Sequence, residues 1–140
     1  MSTVDDVDSF LIKSGLRYDQ IAEGTWVLHP ESARSAQIGV KIEDPIVLFS
    51  IQMFALADVI KEQDKETLFR RLLELNSELL HASYSLQGDQ VVLSGAQQLE
   101  NLDFNEFQAM VDDMCMALDN QYDKIAPMIA KKAAGAEGSV

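Results

Sequence analysis

The segment QIGVKIEDPIVLFSIQMF, residues 37–54, decides the fold. Over residues 37–43 apolar and polar side chains alternate strictly. Ile38, Val40 and Ile42 share one face, and Gln37, Gly39, Lys41 and Glu43 share the other. A period of two is the mark of a strand with one face in a core. Asp44-Pro45 is a turn signal, since proline presets φ and aspartate favours turn entry. Over residues 46–54 Val47, Phe49, Ile51 and Met53 make a wholly apolar face, while Ile46, Leu48, Ser50, Gln52 and Phe54 make a mixed one. Two strands joined by so short a turn pair antiparallel. The faces predict a sheet packed on one side and partly wet on the other. Ile38, Val40, Ile42, Val47, Phe49 and Ile51 are the expected core, covered by the first and last helices.

The rest of the chain flanks that hairpin with further elements. Upstream, Thr25 to His29 is short and strand-like, and His29-Pro30 starts a turn. Before it, Val4, Val7, Phe10 and Leu11 recur at helical spacing, with Thr3 as the expected cap, Asp5, Asp6 and Asp8 at the positive end of the dipole, and Gly15 as the stop. Downstream, Asp64 caps an expected second helix running to about Leu80, with Leu68, Leu72, Leu75 and Leu79 in one stripe and Phe69, Leu73 and Leu80 in a second beside it. A second hairpin, residues 82–86 and 90–94, turns at Gly88-Asp89, where glycine reaches positive φ cheaply. The last helix opens on a capping box, Asp103 with Glu106, and Leu102 is placed to staple to Phe107. Phe107, Val111, Met114, Leu118, Tyr122 and Ile125 make its stripe, and Pro127 ends or kinks it. The expected class is α+β: helix, three strands, helix, two strands, helix, with helices covering an antiparallel sheet. Residues 1–130 are expected to form one domain, and 131–140, rich in Ala, Gly, Ser and Lys, a disordered tail.

Composition narrows the function classes. The chain has 140 residues, 47% hydrophobic and 24% charged, as in ordinary soluble domains. Its net charge of −12 argues against a nucleic-acid backbone and an anionic membrane surface as partners, and suits a basic partner instead. The longest apolar run, residues 53–57, is far short of the roughly 20 residues a membrane helix needs. The acidic start of the chain lacks the positive, then apolar, pattern of a secretory signal. The single cysteine, Cys115, forms no intramolecular disulfide. The chain is therefore expected in the cytoplasm.

Side chains that bear chemistry are few and scattered. Asp112, Asp113, Asp119 and Asp123 lie close in sequence, but Asp119 to Asp123 lacks the glycine and the closing glutamate of a calcium loop. A solvated helix face explains them. His29 and His81 have no second histidine or cysteine at ligand spacing. Cys115 has no basic residue within a turn to make a thiolate, so a structural thiol is expected. Met110 and Met114 fall on or beside the last helix's stripe as core filler, whereas Met116 is expected outside. Neither a phosphate loop nor a recognisable Ser-His-Asp order is present. No catalytic, metal-binding or cofactor-binding residue is assigned.

The residues Gly24-Thr25-Trp26-Val27-Leu28, Leu72-Leu73-Glu74-Leu75-Asn76, Tyr84-Ser85-Leu86, Val91-Val92-Leu93-Ser94 and Leu99-Glu100-Asn101-Leu102-Asp103 carry a resemblance. Over roughly residues 3–126 the chain resembles the YbjN family, labelled bacterial sensory transduction regulators. That family shares its fold with the class I type III secretion chaperones of the CesT and Tir-chaperone kind. The resemblance implies a non-enzymatic, dimeric, acidic binding protein of the cytoplasm, chaperone-like or regulatory, that engages a segment of a partner protein. The alternative is a small-ligand sensor or small enzyme with a pocket between the sheet and the last helix, anchored by Trp26, His29 and Tyr84.

Two surfaces follow as expectations. A homodimer is expected on the second helix and second hairpin, through Leu68, Leu72, Leu75, Leu79, Tyr84 and Leu86. One sheet face absorbs one stripe, and a second stripe left in water costs about 1.5–3 kcal/mol per large side chain. The resemblance points to the same part of the fold. Partner binding is expected on the sheet's mixed face, through Ile46, Leu48, Phe54 and, if exposed, Trp26.

Overall fold

The structure, a computed structural model, describes residues 4–31, 37–61 and 63–129. Helix α1 spans Val4–Ser14, and four strands follow: β1 Arg17–Ala22, β2 Thr25–His29, β3 Ile38–Glu43 and β4 Ile46–Ala55. Helix α2, Lys65–Asn76, leads to β5, Ser83–Gln87, and β6, Gln90–Gln98, and helix α3, Phe104–Ile125, closes the fold. The six strands form one antiparallel sheet in the order β1-β2-β3-β4-β6-β5.

The architecture is the expected α+β class with one strand more. β1 escapes a pattern reading because it is an edge strand with almost every side chain in solvent. Its pairing with β2 is set by the turn at Gly24, whose φ of +73° favours glycine.

The deciding hairpin pairs Val40 with Phe49 and Ile42 with Val47. Ile38, Val40, Val47, Phe49 and Ile51 are buried, and Ile42, nearer the turn, is only half-buried. The alternation then breaks. A register shift between Gln52 and Phe54 places Met53 and Phe54 both in the core. A bulge adds one residue, so it carries everything beyond it to the opposite face.

The helices pack on the apolar face. Phe107 of α3 lies 5.5 Å from Phe49, and Phe10 of α1 lies 5.8 Å from Phe107, ring centroid to centroid. The sheet is closely covered at Gly95, where a Cβ would stand 2.6 Å from the His81 carbonyl oxygen, in the loop before β5, and 3.0 Å from the Met110 sulfur of α3. Glycine opposite Phe49 is thus the residue that lets helix and sheet meet. The capping box of α3 forms as expected, with Glu106 N–H donating to Asp103 at 2.7 Å and Asp103 N–H to Glu106 at 3.1 Å. Asp64 caps α2 by accepting from Glu66 N–H at 3.1 Å. That helix ends at Asn76, short of Leu80, so Leu79 and Leu80 belong to the loop before β5. The Thr3 cap and the tail 131–140 lie outside the described residues.

Candidate protein-binding surfaces

α2 lies along the β5 edge of the sheet and turns one stripe inward. Leu68, Leu72 and Leu75 are buried and Leu79 is half-buried. These residues, expected at a subunit interface, are instead this chain's own core. So is Tyr84, whose hydroxyl donates to Gln121 Oε1 at 2.8 Å. Gln121 Nε2 in turn donates to the Leu75 carbonyl at 3.2 Å. This buried polar chain ties β5 to α3 and α3 to α2. Burial pushes the Tyr84 phenol far above its ordinary pKa, so it stays a donor. The cause is simple: the two stripes of α2 are equally apolar, and tertiary packing selects which one faces in.

The other stripe is left in water. Leu73 is 70% exposed and Leu86, on β5, is 50% exposed. With half-buried Phe69 they line a groove of about 280 Å³ between helix and strand, floored by Leu72, Tyr84 and Val91. Of the six expected interface residues, only Leu86 is exposed. Phe69 and Leu73, of the second stripe on α2, line the groove beside it.

The partner patch expected on the mixed sheet face does not assemble. Trp26 is 0% exposed, packed on the core side beside Val40, and Phe54 is 4% exposed because of the bulge. Ile46 and Leu48 remain on the wet face, half-buried. Nor do the anchors of the alternative reading converge. Trp26 and His29 sit on β2, near one end of the sheet, and Tyr84 on β5, at the other. His29 pairs with Asp19 of β1 at 2.9 Å.

The remaining candidates occupy α3 and the loop before β5. His81 pairs with Asp113, and Lys124 with Glu78 at 3.6 Å. They border an open cavity of about 230 Å³ that also touches Leu80 and Met116, both exposed. Among the described residues no three His, Cys, Asp or Glu side chains stand close enough to hold a metal ion. Asp112 accepts from Gln108 at 2.9 Å. Cys115 is half-buried, and its thiol is pushed up to about 11 by burial, then by Asp119 and Asp112. That is the reverse of what a nucleophile needs. Met53, Met110 and Met114 are buried and Met116 is exposed, so the methionines form no common surface. Among the described residues no helix is long and apolar enough to cross a membrane.

Known proteins share this arrangement of sheet and helices. YbjN from E. coli superposes with a TM-score of 0.61 at 16% identity, covering 89% of this chain and 96% of its own. A chain of the heterodimeric ExoU–SpcU complex, from the type III secretion system of Pseudomonas aeruginosa, superposes with a TM-score of 0.60 at 16% identity, covering 88% of this chain and 97% of its own. Identities this low speak for the fold. No curated protein matches the sequence. The family model CesT_Tir_1 matches residues 1–131, and the chain belongs to that family.

Proposed function

We propose that this protein is a non-enzymatic, cytoplasmic protein-binding module, chaperone-like or regulatory, that works as a homodimer and engages a segment of a partner protein. The observation that carries the reading is the apolar groove of α2 and β5, where Leu73 and Leu86 stand in solvent beside Phe69. Large apolar side chains gathered in one exposed groove mark an interaction surface. Membership of the CesT_Tir_1 family supports a protein partner, as does a chain of this fold within the heterodimeric ExoU–SpcU complex. A two-fold contact would bury the same groove on both subunits.

Light scattering on the purified protein tests the dimer. The expected species has twice the 15.6 kDa of the chain, and a single species at 15.6 kDa refutes it. Leu73→Glu should return the dimer to monomer with an unchanged circular dichroism spectrum. Each subunit carries a net charge of −12, so added salt should tighten the dimer where those charges face each other. The partner is tested by purifying a tagged chain from the cells that make it. One protein in fixed proportion, with a short segment protected from protease, is the expected result. Recovery of a bound small molecule and no protein would overturn the reading.

A further inference from the structure

β5 lies at an edge of the sheet. Edge strands pair with other chains unless a charge, a proline, a bulge or a covering group prevents it. β5 reads Ser83-Tyr84-Ser85-Leu86-Gln87, with neither charge nor proline, and it pairs with β6 without a register shift. By contrast β1, at the other edge, carries Arg17 and Asp19 and has a register shift of its own.

The pairing shows which backbone groups of β5 face outward. The two-residue turn at Gly88-Asp89 makes Gln87 and Gln90 the bonded pair that closes the hairpin. Ser85 and Ser83 then bond to β6, and Leu86 and Tyr84 send their N–H and C=O groups away from it. At Tyr84 both groups are already taken. Asn76, the last residue of α2, accepts from the Tyr84 N–H through Oδ1 at 2.7 Å and donates to the Tyr84 C=O through Nδ2 at 3.3 Å. A primary amide offers a donor and an acceptor side by side, as a strand's backbone does. Asn76 thus occupies the place of a neighbouring strand, and the buried Tyr84–Gln121–Leu75 chain holds α2 where it must be to do so.

We propose that Asn76 is an edge cap that stops a second copy of this chain from adding its own β5 to the sheet. A second copy is the occupant the strand suits best. Lacking charge, β5 meets an antiparallel copy of itself with no like-charge clash, and Ser, Tyr and Leu all fit a pleated surface. The cap would restrict contact on this side to side chains in the groove, which gives a closed pair, and not a continuous sheet, which can propagate. The proposal stands whatever the mass of the unaltered chain, because it concerns the change on removing the amide.

Hydrogen exchange and light scattering on three proteins test it: the unaltered chain, Asn76→Ala, and Asn76→Ala with Ser85→Lys. In the unaltered chain the Tyr84 amide should exchange slowly for an edge position. In Asn76→Ala, at low concentration, it should exchange about tenfold faster or more, as a lost hydrogen bond implies. The mass of that variant should climb with concentration beyond that of the unaltered chain. Ser85 is exposed, and a lysine there should restore the original mass by guarding the edge with charge. An Asn76→Ala protein that keeps the original mass at every concentration overturns the proposal. So does a rise in mass that Ser85→Lys leaves in place. If the single variant is too unstable to purify, the double variant must purify at the original mass, and its failure also overturns the proposal.

Discussion

α2 and α3 carry apolar stripes of similar character and meet different fates. α3 runs across the sheet with partners on several sides. Phe107 reaches Phe49 of β4 and Phe10 of α1, Met110 reaches Gly95 of β6, and Gln121 bonds to both β5 and α2. Its buried residues, from Phe107 to Ile125, are fully used. α2 sits at the sheet's edge and has a partner on one side. It buries Leu68, Leu72 and Leu75 and leaves Leu73 outside. The width of a helix's apolar surface thus reports how many neighbours it needs. Where the chain supplies fewer, the surplus stays in solvent, as at Leu73.

The largest losses are expected from the buried stripe of α3 and the strand beneath it. Phe107→Ala removes the ring that joins α1, α3 and β4, and should destabilise the protein by about 3–5 kcal/mol in denaturant unfolding. Phe49→Ala should cost about the same, also about 3–5 kcal/mol. An unshifted transition in either would remove the core argument.

Adjacent leucines of α2 give the sharpest contrast. Leu72→Ala deletes a buried side chain and should cost about 2–5 kcal/mol. Leu73→Ala, one position on, should change the stability of the isolated subunit by no more than about 0.5 kcal/mol, yet weaken self-association. Equal losses at the two sites would mean that the stripes are not divided between core and surface.

The junction of the two helices comes next. Gln121→Ala leaves the Tyr84 hydroxyl and the Leu75 carbonyl without their partner, at about 1–3 kcal/mol for each group left unsatisfied. Tyr84→Phe removes only one end of the chain and should cost less. If the two variants were equally stable, the network would not couple β5 to α2 through α3.

What the sequence disclosed follows from how local each signal is. The alternation of residues 38–51, the Gly88-Asp89 turn and the Asp103–Glu106 box each lie within a few residues, and all three appear in the structure. β1 was hidden because its residues face water and only its pairing with β2 makes it a strand. Alternation alone puts Phe54 on the wrong face, because one bulge residue reverses a period of two and composition does not mark where that residue falls. Which stripe of α2 is buried escapes a sequence reading for a different reason. Leu72 and Leu73 are chemically identical, and only the position of the sheet edge tells them apart. The clamp of Asn76 on Tyr84 was legible only as the family-like string Leu72-Leu73-Glu74-Leu75-Asn76, with no hint of which backbone the amide would meet.

The smallest effect belongs to the margin of α3's buried stripe, where Cys115 packs against the core. Cys115 is half-buried there, and burial, with Asp119 and Asp112 nearby, holds its thiol pKa at about 11. An ordinary thiol titrates near 8.5, at about the value expected of the unfolded chain. A raised folded value means that the native state keeps its proton longer, so between those two values the unfolded state binds fewer protons. Stability contributed by the neutral thiol is therefore complete below the unfolded value and is lost as pH rises through the folded one. The loss is shallow, because the group is only partly buried, and Cys115→Ala should flatten it. Alkylation by iodoacetamide gives a direct reading, since only the thiolate reacts. At neutral pH the rate should fall below that of a free thiol, and it should climb with a midpoint near 11 in the folded protein. Asp119→Asn removes the larger of the two repelling charges and should lower that midpoint while leaving Phe107 and the core untouched. A midpoint at the ordinary thiol value in the unaltered chain would show that this margin of α3 is open to water, and that the contrast with α2 is narrower than the packing implies.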